Sequence, residues 1–152
     1  MAISFVTHAT QLLREPTLHK DTLVFTYAND LWKTTIKGGK ATRLTSFQGS
    51  ESQPVISPDG KMLAFTGEYE GNKDVYIVSI DGGHATQLTF HPASDAVVGW
   101  APDSQSVLFS SPRYSAPRNS QQLYTVSVEG GNPQQLPMRR ASDGAFDPKG
   151  EN

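Results

Sequence analysis

The chain has 152 residues, no cysteine, 13 Lys plus Arg against 15 Asp plus Glu, and a formal net charge of −2. That length suits one domain, the charge balance offers no basic stripe to a nucleic-acid backbone, and no apolar run is long enough to insert into a membrane. The missing cysteine excludes disulfides and thiolate chemistry and fits either the periplasm or the cytoplasm.

Residues 1–12 open with the short apolar run AISFV, which no charged residue precedes. This stretch is either the remnant of an export signal or an ordinary N-terminal tail. A first repeat then runs over about 13–45, with HKDT as a degraded turn between its first two strands. The second, over about 53–90, is the clearest, with strands expected at 53–57, 61–66, 74–80 and 85–90. Its turn SPDG fills a type I turn in order: Pro58 presets φ and Gly60 accepts the left-handed exit. A third repeat covers about 96–136 and writes the same turn as APDS. A fourth begins in 139–152 at RRASDGAFDPKG.

Three markers set the period. Gly-Gly pairs start at Gly38, Gly82 and Gly130, in steps of 44 and 48. Strands ending LVF, LAF and VLF finish at Phe25, Phe65 and Phe109. A following aromatic stands at Trp32, Tyr76 and Tyr124, again in steps of 44 and 48, where inter-blade packing is expected. Four-stranded units of this period define an all-β fold, a partial β-propeller of about three four-stranded blades plus the first strand of a fourth. A lone blade cannot bury its faces, so the open end faces are expected to take further blades or to self-associate, two copies giving a closed ring.

Antiparallel order puts the first-to-second and third-to-fourth strand turns on one end of the blades, and the remaining loops on the other. On that second end the stretches 25–31, 65–75 and 109–123 differ in length, so binding is expected there. The loop SPRYSAPRNS offers Arg113, Tyr114 and Arg118, two forked donors with an aromatic, which could grip a peptide carboxylate or lie in a Pro-stiffened loop. The acidic stretch GEYEGNKD adds Glu68 and Tyr69 as a second candidate. Its Glu68, Glu70 and Asp74 lack the spacing of an EF-hand calcium loop. No nucleophile-and-base motif is present, and His8, His19, His84 and His91 are isolated in sequence. No catalytic residue, metal or cofactor is therefore assigned.

The stretch SPDGKMLAFTGEYEGNKDVYIVSIDGGHATQLTF resembles the propeller repeats shared by TolB proteins and several peptidases. DTLVFTYANDLWKTTIKGGKATRLT and HPASDAVVGWAPDSQSVLFSSPR are similar to the opening blades of tricorn-type proteases. The resemblance implies a noncatalytic propeller beside a serine-protease core, handling or filtering peptides or docking partner domains. A TolB-like interaction propeller and the propeller lid of a prolyl-oligopeptidase-like hydrolase are the alternatives. Ser104 departs from the repeat where the turn glycine is lost, and Pro137 where LP replaces LT.

Overall fold

The computed structural model describes residues 13–115, 120–138 and 141–147. Twelve strands form three antiparallel sheets of four, each in sequence order. The first holds β1 (Arg14–His19), β2 (Thr22–Tyr27), β3 (Asp30–Thr35) and β4 (Thr42–Arg43). The second holds β5 (Ser50–Ile56), β6 (Met62–Tyr69), β7 (Asn72–Ser79) and β8 (Thr86–Gln87). The third holds β9 (Ala96–Trp100), β10 (Ser106–Ser111), β11 (Gln122–Ser127) and β12 (Gln134–Gln135). The outermost strand of each blade is only two residues long, which leaves little open edge for unwanted pairing.

The turns follow the local chemistry. Gly60 donates to the Ser57 carbonyl at 2.8 Å and has φ +78, the left-handed exit that its lack of Cβ makes cheap. The His19 ring of the first blade packs where a Cβ on Gly60 would stand. Ser104 holds the matching left-handed place at φ +61, and its hydroxyl accepts from Asp59 N of the second blade at 3.1 Å. The hydroxyl thus ties two turns together where a glycine could not.

The three stretches read as variable loops resolve differently. Ala28 and Asn29 both have positive φ, as do Glu70 and Gly71, so each pair is a two-residue type I′ hairpin turn. The greater separation in the second blade comes from longer strands, eight residues in β6 and β7 against six in β2 and β3. In the β10–β11 connection the described residues, 112–115 and 120–121, carry no strand. Glu68 and Tyr69 are accordingly strand residues. Among the described residues no cluster of three or more His, Asp or Glu is placed to hold a metal ion.

Two apolar cores lie between the blades. Val24, Leu31 and Leu44 of the first blade meet Leu63, Phe65 and Val78 of the second. Ala64, Val75 and Ile77 on the other side of that sheet meet Val107, Phe109 and Val126 of the third. Period-two alternation makes this possible, since successive residues of a central strand face opposite neighbours. Each fully buried Phe or Leu contributes about 1.5–3 kcal/mol. The repeated aromatics are cross-strand partners: Phe65 stacks on Tyr76 at 5.7 Å and Phe109 on Tyr124 at 5.6 Å. Both pairs pack into the gap toward the preceding blade. Trp32, the ladder partner of Phe25, lies on the corresponding side of the first blade, away from the second, edge-on to Tyr27 at 6.0 Å and outside the core shared with the second blade.

The repeated Leu-Thr has a specific task. Just past the short outer strands, Thr45 Oγ1 accepts from Leu31 N of β3 at 3.0 Å and Thr89 Oγ1 from Val75 N of β7 at 2.9 Å, satisfying buried donors. Pro137 keeps the backbone bond from Leu136 N to the Leu123 carbonyl but has no hydroxyl to repeat that second contact. Residues 141–147 form no ladder. They lie against Leu108 and Leu123 of the third blade, leaving a gap of about 80 Å³ beside Phe146. The N-terminal tail and the remainder of 139–152 lie outside the described residues.

Candidate functional site

The innermost strands β1 and β5 begin on the end of the blades that carries the β2–β3 and β6–β7 turns. A cleft of about 350 Å³ opens there between the first two blades. Arg14 and Glu15 of β1, Asn29 of the first hairpin turn, Ser50 of β5, and Glu68 with Lys73 across the second hairpin line it. Its walls are held by polar contacts. Glu15 has φ +50 at a bulge in β1, and its carboxylate accepts from Gln53 N at 2.7 Å and from Thr26 Oγ1 at 3.3 Å. Glu68 faces Lys73 at 3.8 Å and accepts from Ser50 at 3.4 Å. Arg14 is exposed and, among the described residues, has neither an ion pair nor a hydrogen bond from its guanidinium. It is the uncommitted cation at the mouth.

Behind this cleft a buried carboxylate locks the two blades. Glu51 Oε2 accepts from Leu31 N at 3.1 Å and from the Thr45 hydroxyl, while Oε1 accepts from Tyr69 OH at 2.7 Å. Burial pushes the Glu51 carboxyl up; the three donors offset part of that, and Asp30 nearby adds to it. Burial and the bond to Glu51 push the Tyr69 hydroxyl up in turn.

The same arrangement recurs one period later. Asp95 stands 44 positions after Glu51, and Arg113 stands 44 after Tyr69. Arg113 is 5% exposed and Asp95 0%, and the Arg113 guanidinium donates to Asp95 Oδ2. It lies 5.0 Å over the Phe109 ring and 5.3 Å over Tyr124, while in the second blade Tyr69 packs edge-on against Tyr76, the equivalent of Tyr124, at 4.9 Å. Arg113 is therefore not projected from its loop as the sequence suggested; its fork is committed inside the fold. Aspartate is one methylene shorter than glutamate, and Asp95 Oδ1 has no hydrogen-bond partner among the described residues. Asp74 beside it takes the Thr89 hydroxyl at 3.3 Å and the Asn72 amide at 3.0 Å, and burial above all, with the charge of Asp95 adding, raises its carboxyl.

The structure therefore separates the candidates read from sequence. Glu68 lines the cleft and Tyr69 braces it from behind. Tyr114 is 82% exposed, edge-on to His91 at 5.5 Å, at the next blade gap. Arg118 lies outside the described residues. Arg14 was missed; its signal was position alone, the first residue of an innermost strand on the variable end.

A model of the tricorn protease N-terminal β-propeller domain matches residues 10–152. The chain belongs to the tricorn N-terminal β-propeller family. A tricorn-like protease N-terminal subunit from Sulfurisphaera tokodaii is 32% identical over 77 residues, 48% of this chain and 40% of that relative. TolB from Acinetobacter baumannii superposes with a TM-score of 0.77 at 20% identity, over 91% of this chain and 36% of that one. The tricorn protease gives 0.69 at 24% identity, over 82% and 13%. The chain thus spans less than half the length of each of these relatives, and the two structural likenesses establish the propeller fold alone.

Proposed function

We propose that this tricorn-family propeller is the noncatalytic, peptide-handling module of a longer serine peptidase, and that its polar cleft receives the carboxylate end of a peptide. The uncommitted Arg14 carries the reading, since an exposed guanidinium over a polar cleft is a forked donor pair matched to a carboxylate. Lys73 supplies a second, loosely held cation 3.8 Å from Glu68, and an incoming carboxylate can compete for it. Glu15 and Glu68 keep the cleft from being a general anion site and suit it to a chain that brings both charge signs. Tyr114 at the neighbouring gap extends the same surface. Docking of partner domains uses that end of the blades too.

Calorimetric titration with tetra-alanine tests this. Free-ended peptide is expected to bind, and Arg14→Ala with Lys73→Ala to weaken it about five-fold or more, at the scale of two partly exposed charge contacts. The melting temperature should be unchanged. Equal affinity in the double variant, or equal binding of the amidated peptide, would remove the proposal.

A further inference from the structure

A second concave site lies on the outer flank of the propeller, away from the cleft described above. Phe47 from the link between the first two blades, Tyr69 and Tyr76 from the second sheet, and His84 and Phe90 flanking β8 enclose about 390 Å³. The rings brace one another: Tyr69 meets Tyr76 edge-on at 4.9 Å, and Phe47 lies 5.7 Å from Tyr69 and 6.3 Å from His84. Phe90 is 76% exposed, a large apolar ring left in water on the rim. Four aromatic residues and an imidazole around one hollow exceed what closing a blade gap requires.

The electrostatics of the hollow select its occupant. Among the described residues no lysine or arginine lines it. The Tyr69 hydroxyl donates to the Glu51 carboxylate, which pushes electron density into the phenol ring and makes its face more negative. The negative charges of Glu51 and Asp30 act on Tyr69, and those of Asp74 and Glu70 on Tyr76. The third blade supplies an internal precedent. There the equivalent rings, Phe109 and Tyr124, hold the Arg113 guanidinium at 5.0 and 5.3 Å, whereas in the second blade Tyr69 takes the place of that arginine. The scaffold that stacks a cation of its own in one gap presents electron-rich rings to the exterior in the other.

We propose that the hollow of Phe47, Tyr69, Tyr76, His84 and Phe90 is a binding site for an organic cation, an alkylammonium or guanidinium head held on aromatic faces. The chemistry is shared by a free quaternary ammonium and by an arginine side chain of another polypeptide. Neither source needs the peptide-carboxylate reading of the other site.

The test uses the full chain, followed by NMR of its aromatic side chains during titration with choline, with N-acetyl-arginine amide, and with 3,3-dimethylbutanol, the neutral isostere of choline. At least one cation is expected to shift the Phe47, Tyr69 and Phe90 resonances and to bind ten-fold or more tightly than dimethylbutanol. A preference for choline points to a small-molecule ligand, and a preference for the arginine derivative to a protein or peptide side chain. Phe90→Ala, at an exposed position, should weaken cation binding about three- to ten-fold with the melting temperature unchanged. Dimethylbutanol binding as well as the cations, no saturable shift with either cation, or full affinity in Phe90→Ala would each overturn the proposal. Phe47→Ala provides an independent second variant, and its full affinity would count equally against it.

Discussion

Arg113→Ala is expected to lower the unfolding free energy by about 3–5 kcal/mol, because it leaves the wholly buried Asp95 carboxylate without its counter-charge. The loss should be larger than for any surface arginine, since the guanidinium also covers the Phe109 and Tyr124 rings and bonds to Ser111 Oγ at 3.1 Å. The double variant Arg113→Ala with Asp95→Ala should be markedly less damaged than the sum of the two single changes, because removing both partners removes the stranded charge. Urea unfolding of the three variants gives the cycle directly. An arginine open to ligand would behave oppositely, losing binding and leaving stability within about 0.5 kcal/mol of the parent. Additive losses in the cycle would show that Arg113 and Asp95 are not coupled.

Glu51→Gln is expected to abolish part of the pH dependence of stability. The folded protein holds the Glu51 carboxyl above its ordinary value, chiefly through burial, and Asp74 shares that direction. A raised acid contributes stability that is fully present below the unfolded pKa and is lost as pH rises through the folded one. Within that window each such group costs about 1.4 kcal/mol per pH unit. The parent chain should therefore be less stable at pH 8 than just above the ordinary carboxylate range, as far as these two groups decide it. Glutamine resembles the protonated acid: its carbonyl still accepts from Leu31 N and Thr45, and its amide can donate to the Tyr69 oxygen. Glu51→Gln should flatten the slope, and adding Asp74→Asn should flatten it further. Melting curves from pH 5 to 8 decide this; an unchanged slope in both variants would contradict the buried-acid account.

The blades were legible in the sequence because their signals are local. SPDG, the Gly-Gly pairs and the alternation around Phe65 and Phe109 need no tertiary information. The loops were misjudged for a related reason. Glu70-Gly71 is a weaker turn signal than Pro-Asp-Gly, so the sequence reading ends β6 at 66 rather than 69 and starts β7 at 74 rather than 72, and the ladder between them reads as loop. The polar lock was hidden although its period was in view. Glu51 and Asp95 recur in step, as do Tyr69 and Arg113, yet the members of each pair differ in chemistry, and markers chosen for aromatic identity pass over them. Nothing near Arg113 in the chain announces burial, because its counter-ion lies 18 residues upstream on the link into β9. Arg14 was overlooked because exposure at an innermost strand depends on where two blades part.

The peptide-handling reading of the β2–β3 and β6–β7 end of the propeller is tested most directly by titrating the 15N-labelled chain with free-ended tetra-alanine and mapping the amide shifts. The account predicts saturable shifts gathered at residues 14–15, 28–29, 50–52 and 68–73, reduced when the peptide is amidated at its C-terminus. Shifts gathered instead at the Gly-Gly turns 38–39, 82–83 and 130–131 on the opposite end, or none at millimolar peptide, would contradict it.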